Sequence, residues 1–293
     1  MTQLDGQGLS AELKHAWSVE TAQLIADTRS SLVYRVTRHG FPGAIAKVLK
    51  PDGMEELTGF AFLEWRNGLG SVRLIDLQAH ACLLEDAGTL TLEDHRQIVG
   101  DRACAAIFCE VISSLHLPGG KPAPLDLVPL ERRFATLFDR AENEPDGSLR
   151  ALLAWASSLA RNLLAAQSCV RPLHGDIHHG NIVSGGARGW LAIDPHGVIG
   201  DPAYEAANVF GNPLGARDDI LDPERAIFLA RMFAGVIGCP QRTIAEYAAA
   251  HAALSMCWYL EDGASQSDRF FAVEARDFLC LAKTLLDDGR FNG

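Results

Sequence analysis

An α+β chain in two lobes, a small antiparallel sheet followed by a larger and mainly helical part, is the fold that the sequence predicts. Two observations carry it. Short runs rich in β-branched residues and separated by Gly- and Pro-containing turns occupy much of the first 85 residues, and apolar residues at helical spacing dominate after Gly88. With 293 residues and 48% hydrophobic content, the chain is long enough to bury a core in each lobe. The boundary is expected near Glu85–Gly88, giving lobes of residues 1–85 and 86–293.

Taken in order, "AQLIADT" and "SSLVYRVT" read as strands, the turn "RHGFPG" follows, and "AIAKVLKP" is a third strand closed by Pro51. Leu57, Phe60, Ala61, Phe62 and Leu63 suit one face of a helix over 54–66, ended by "NGLG". "SVRLIDL" and "ACLLEDAG" are two further short apolar runs. Helical patterns then cover 92–99, 102–115, 130–140 and 149–166; in the last of these, eight Leu and Ala positions repeat at helical spacing, which predicts a core helix. "GGKPAPLDLVP" is a surface loop, "NIVSGGARGWLAID" two short strands joined by a Gly-rich hairpin, and the chain from about Pro223 is again helical.

Charge and composition exclude several classes. A net charge of −11 argues against non-specific nucleic-acid binding, which needs clustered Lys and Arg. No stretch reaches the roughly 18 apolar residues of a membrane span, and the N-terminus lacks a signal-peptide pattern, so a cytoplasmic protein is expected. The seven cysteines include no C-x-x-C pair and read as reduced, packed thiols. Residues 1–85 carry 10 acids against 8 bases, whereas residues 171–293 carry 16 against 10. That acidic bias is either a solvated surface or the mark of a cationic small-molecule partner; no protein partner is indicated.

The segment "LHGDIHHGNIV", residues 173–183, is the most informative. Three readings compete for it: a metal cage, a polar turn and a phosphotransfer loop. Four histidines lie between His174 and His196, but the spacing is not H-E-x-x-H, and adjacent His178 and His179 cannot face one way in regular structure. Asp176 and Asn181 form D-x-x-x-x-N, and Asp194 ends the following hairpin in "WLAIDP". Phosphoryl transfer needs such a set, a carboxylate for the attacking hydroxyl and two oxygen ligands for magnesium. The arrangement resembles the catalytic loop and metal-binding aspartate of the protein-kinase-like fold. Lys47, inside an apolar strand, then wants an anion, since an unpaired buried ammonium is costly. Glu55, Glu56 and Glu64 are offered by the next helix, and Glu56, in its first turns, is the favoured partner. A metal-dependent hydrolase built on the histidines leaves Lys47 unexplained.

Together with "LIADTRSSLVYRV", "WRNGLGSVRL" and "GWLAIDPHGVIGDPAYEAANVFGNP", these motifs resemble the aminoglycoside phosphotransferase family, in its streptomycin 6-kinase and hydroxyurea kinase branch, over about residues 24–213. The resemblance implies a two-lobed protein-kinase-like fold, with residues 1–85 the nucleotide-binding lobe and 86–293 the catalytic and substrate-binding lobe. It implies ATP- and Mg2+-dependent O-phosphorylation of a small hydroxylated antibiotic, with Asp176 as base, Asn181 and Asp194 on magnesium and Lys47 on the phosphates. It also implies adenine binding by backbone groups near Glu85 to Ala87, under a phosphate-covering turn containing Thr28, Ser30 and Ser31. That turn has no G-x-G-x-x-G, Asp194 is followed by Pro195 rather than Phe-Gly, and no A-P-E follows, so a protein substrate is not expected. Streptomycin or a related polycation is the first expectation, with hydroxyurea or a native metabolite as the alternative acceptor. A nucleotide-binding regulatory protein without transfer activity is the alternative of a different class, disfavoured by the intact Lys47, Asp176, Asn181 and Asp194. Candidate substrate contacts are Asp201 and Glu205, and Glu261 and Asp262 beside Trp258 and Tyr259.

Overall fold

The computed structural model of the protein describes residues 8–261 and 265–292. Five antiparallel strands form the N-terminal sheet, β1 (Val19–Asp27), β2 (Ser31–Arg38), β3 (Phe41–Leu49), β4 (Leu74–Gln78) and β5 (Ala81–Glu85), in the order β1-β2-β3-β5-β4. The two-residue period of β3 divides its side chains between two cores. Ala44, Ala46 and Val48 join Tyr34, Val36 and Leu83 under α1 (Ala11–Ala16) and Trp17, a helix that carried no sequence expectation. Ile45 and Leu49 lie instead in the core facing the second lobe, with Phe60, Leu63, Leu84, Val183 and Leu191. Lys47 belongs to this second set by parity, which is why a charged residue in an apolar strand arrives at the junction of the lobes.

The expected helix over 54–66 is split. Pro51 opens a 3₁₀ helix, Pro51–Glu56, because its ring presets the helical φ and its missing N–H costs nothing at that position. α2 (Leu57–Arg66) continues it. α2 then meets the segment after Asp194 backbone to backbone: a Cβ on Gly59 would stand 1.9 Å from the Pro195 carbonyl oxygen, and one on Gly197 would stand 2.2 Å from that of Thr58. The Thr58 hydroxyl donates to the His196 carbonyl at 2.7 Å.

The second lobe contains α3 (Leu92–Val99), α4 (Asp101–Leu115), α5 (Leu130–Arg133), α6 (Ala135–Asn143), α7 (Gly147–Ala165), α8 (Arg217–Ile220), α9 (Pro223–Ile237), α10 (Gln241–Tyr259) and α11 (Gln266–Asp287). The helix expected over 130–140 is broken at Phe134, whose fully buried ring meets Tyr204 edge-on at 5.6 Å. α10 is buried on nearly every side, and its alanines let neighbouring helices approach closely. Two small sheets sit at the lobe junction: the hairpin β8 (Ile182–Ser184) and β9 (Trp190–Ala192), and the trio β6 (Val128–Pro129), β10 (Val198–Gly200) and β7 (Arg171–Leu173). A 3₁₀ helix, Pro202–Gly211, runs through the core behind them.

Helix propensity alone makes Gly59→Ala stabilising by about 1 kcal/mol. The close approach to Pro195 reverses the sign: the variant is expected to melt below wild type in thermal unfolding, and an equal or higher Tm would refute the packing described.

Candidate active site

The loop after β7 is held from behind by a buried anion. The His174 and Gly175 N–H groups donate to the two Glu205 carboxylate oxygens at 3.0 and 2.9 Å, and His116 Nε2 lies 3.3 Å from Oε2. Burial alone would raise the Glu205 carboxyl, but His116 and the Gly175 N–H outweigh it and keep it below the ordinary value. Burial lowers the His174 pKa. Its neutral ring donates from Nε2 to the Ile193 carbonyl at 2.8 Å and accepts the Asp176 N–H at Nδ1, 3.3 Å away. One imidazole thereby ties the loop to the strand end that carries Asp194.

Asp176 is partly buried and surrounded by donors. The Asn181 amide donates to Oδ2 and Asn208 to Oδ1, each at 2.9 Å, while His196 Nε2 and His178 Nε2 stand 3.5 and 3.8 Å from Oδ2. Burial raises this carboxyl, yet His196, His178 and Arg133 together hold it far below the usual carboxylate range, so it is an anion at neutral pH. The two adjacent histidines diverge. His178 lines the cleft, whereas His179 is 1% exposed and stands edge-on to Phe108 at 4.8 Å.

On the other wall, Lys47 Nζ meets Glu56 Oε2 at 2.6 Å and also contacts Asp194 Oδ1. Burial lowers the Lys47 pKa, but Asp194 and then Glu56 outweigh it and raise the group. Glu55 lines the cleft and Glu64 faces solvent, so neither reaches the lysine. Asp194 has φ +58°, a left-handed conformation that costs a non-glycine residue energy and concentrates at functional sites. The Ile193 N–H donates to the Asn181 carbonyl at 2.9 Å, and this places Asn181 beside Asp194. Because the Asn181 amide nitrogen is taken by Asp176, its amide oxygen is the free end. With the half-exposed Asp194 carboxylate it forms an oxygen-only donor pair, the chemistry that suits magnesium.

The segments expected from sequence to meet a nucleotide are the β1–β2 turn and the end of β5. Thr28 Oγ1 accepts the Ser31 N–H at 3.0 Å, and the Ser30 carbonyl accepts the Lys50 N–H at 2.7 Å, which fixes the tip. Ser31 itself is 2% exposed, so its hydroxyl serves the turn. The Glu85 carboxylate is engaged by Arg188, and the Gly88 backbone is taken as well, its N–H by Asp86 at 3.0 Å and its carbonyl by Arg35 at 3.4 Å.

A cleft of about 850 Å³ opens in front of Asp176, with Trp258 and Glu261 among its walls. Two of the substrate contacts expected from sequence are corrected. Glu205 is 1% exposed and is spent on the loop behind Asp176. Asp201 caps the 3₁₀ helix by accepting the Ala203 N–H at 2.9 Å and faces a separate cavity of about 590 Å³ with Cys239 and Tyr247. Asp262 lies outside the described residues. Trp258 is covered by the Arg133 guanidinium at 4.5 Å, so that face of the indole is occupied by the protein's own cation. Sequence reasoning missed Asn208 and the pair His196 and Arg133, which stand 3.2 Å apart. No spacing rule links Asn208 to the loop, although it stands within the "GDPAYEAANVFGNP" run that carries part of the resemblance.

The chain matches the aminoglycoside/hydroxyurea antibiotic resistance kinase family over residues 16–263. It is 37% identical to the streptomycin 3''-kinase of Klebsiella pneumoniae, over 80% of this chain and 86% of that one. It is 29% identical to the streptomycin 6-kinase of Streptomyces glaucescens, over 89% and 85% of the two. Among solved structures, choline kinase from Cryptosporidium parvum superposes with a TM-score of 0.66 at 13% identity, covering 92% of this chain and 90% of that one, which identifies the protein-kinase-like fold. With the family match spanning most of both lobes, the chain belongs to the aminoglycoside/hydroxyurea antibiotic resistance kinases and is a phosphotransferase.

Proposed function

We propose that the protein transfers the γ-phosphoryl group of ATP to a hydroxyl of a small cationic antibiotic of the streptomycin type. The observation that carries the reading is the Asp176 carboxylate at the wall of the 850 Å³ cleft, with Asn181 hydrogen-bonded to it and Asp194 beside Asn181. Residues 1–85 serve the nucleotide and residues 86–293 the acceptor, and ATP as donor sets the reaction in the cytoplasm.

Asp176 orients the acceptor hydroxyl and takes its proton as the new O–P bond forms and the bond to the ADP oxygen breaks. A carboxylate held anionic by several donors is a weak base, so its main work is orientation, with proton transfer late, as befits a loose phosphoryl transition state. Lys47, positioned by Glu56, meets the phosphates. Asn181 and Asp194 would hold Mg2+, which supplies charge neutralisation at the β- and γ-phosphoryl oxygens when bound. Glu55, Asp126 and Glu261 line the cleft with no ion-pair partner among the described residues and would meet a cationic acceptor there, while Arg29, Arg132 and Arg133 line it too and offset part of that charge.

Incubation with labelled ATP and a panel of streptomycin, other aminocyclitols and hydroxyurea is expected to label streptomycin, with a KM that rises as salt shortens the Debye length to ~8 Å near 0.15 M. Labelling of hydroxyurea alone would overturn the cationic reading. Asp176→Asn is expected to lower kcat by about 10² to 10⁴-fold while ATP still protects the protein against heat. Near-wild-type turnover would remove Asp176 from the chemistry. Asp194→Ala is expected to abolish the extra thermal protection that Mg2+ adds to ATP; if that increment survives, the metal assignment is wrong.

A further inference from the structure

The two oxygens of Asp176 are unequally occupied. Asn181 donates to Oδ2, and His196 and His178 stand on that side at 3.5 and 3.8 Å. Oδ1 accepts from Asn208 alone among the described residues, at 2.9 Å. A carboxylate oxygen carries two lone pairs, so Oδ1 keeps one for a further donor while Oδ2 is crowded. Asn208 itself lines the cleft. Which end of its amide meets Oδ1 is decisive, because the NH2 attracts a carboxylate and the amide oxygen repels it.

Asn212, four residues on at the end of the same 3₁₀ helix, settles that choice. Its side-chain nitrogen lies 2.9 Å from the Asn208 backbone carbonyl and 2.9 Å from Asn208 Oδ1. A backbone carbonyl only accepts, so the Asn212 group facing it is the NH2, and the second N–H of that group needs an acceptor on the Asn208 side chain. The Asn208 amide is thereby turned with its oxygen to Asn212 and its NH2 to Asp176. Asn212 is buried, and its backbone is held from behind by the buried Arg225, which pairs with Asp101 and donates to the carbonyls of Asn212 and Phe210 at 2.8 and 3.0 Å. We propose that Asn212 and Asn208 are positioning residues for phosphoryl transfer: the relay from Asn212 through Asn208 to Asp176 holds the carboxylate rotated so that Oδ1 receives the acceptor hydroxyl. This deepens the proposed function and rests on it for the role of Asp176.

Thermal unfolding and turnover of the full chain test the geometry and the role separately. Asn208→Asp is isosteric and keeps an acceptor for Asn212, but sets a carboxylate oxygen against Oδ1, so its Tm is expected to fall by about 4 °C or more. Combining it with Asp176→Asn reverses the amide and carboxylate of the pair, and the double variant is expected to melt within about 2 °C of Asp176→Asn alone. An equal loss of Tm in both backgrounds would overturn the relay. For turnover, labelled ATP is supplied with whichever of streptomycin, the other aminocyclitols and hydroxyurea the wild type phosphorylates. Asn208→Asp is expected to lower kcat by about 10²-fold or more while the KM for ATP stays within about threefold, a split that general loosening of the fold would not give. Asn212→Asp offers Asn208 an acceptor where a donor stood and so turns its amide round; it is expected to show the same split and decides the matter if Asn208→Asp does not fold. Wild-type kcat in a folded variant would overturn the positioning role. If the wild type phosphorylates none of these compounds, the kinase reading falls, and the melting cycle still decides whether the relay exists.

Discussion

The two buried hydrogen bonds from the His174 and Gly175 amides to Glu205 are the constraint on which the rest of the site depends. A loop cannot bury its amides without partners, because each orphaned group costs about 1–3 kcal/mol. Here one carboxylate satisfies two successive N–H groups and fixes the chain direction just before Asp176. Gly175, at φ +78°, supplies the left-handed turn that points both amides backwards. With the backbone pinned, His174 spans from the Asp176 N–H to the Ile193 carbonyl and ties the loop to the strand end that carries Asp194. The cost of burying Glu205 is met by His116 and the two amides, and its removal would leave three polar groups stranded in the core.

A second set of contacts couples this body to the N-terminal sheet. Lys47 answers two carboxylates from different parts of the chain, Glu56 and Asp194, and the raised lysine pKa shows that their attraction exceeds the desolvation cost. Gly59 and Gly197 let α2 and the turn after Asp194 touch backbone to backbone, so the Glu56 carboxylate is located by steric contact as well as by charge. Arg188, on the hairpin of the second lobe, reaches Glu85 at the end of β5 and the Ser71 carbonyl, bracing the connection between lobes from the opposite side. The sheet that carries Lys47 and the cleft in front of Asp176 are therefore held in register by ion pairs and close backbone packing.

Much of this was legible in the sequence. The strands of the first lobe, the helices over 92–99 and 149–166, and the β8–β9 hairpin follow from periodicity and Gly-Pro punctuation. Lys47, Asp176, Asn181 and Asp194 were legible because their chemistry is improbable in the contexts where they occur. Glu205 and Asp201 were misplaced for a physical reason: an acidic residue a few positions after Asp194 reads as a substrate contact when burial is invisible, and only the fold shows that Glu205 is wholly internal. The strands β6, β7 and β10 are two or three residues long, too short for any period to register. Asn208, Arg133 and His196 reach Asp176 through tertiary approach alone, across sequence separations of 32, 43 and 20 residues, and no local pattern encodes such a meeting.

The measurement that bears most directly on the account is steady-state phosphorylation by Glu205→Gln, normalised to folded protein, with the KM for ATP recorded alongside. Glutamine offers one acceptor where two N–H groups need one each, and turns an N–H donor toward the other. The account expects kcat to fall by about 10²-fold or more, since loss of positioning by an ångström is worth that much, with the KM for ATP changed by less than about threefold because the Lys47 wall is intact. A variant with wild-type kcat would contradict it, showing that Asp176 keeps its place without the anion behind it.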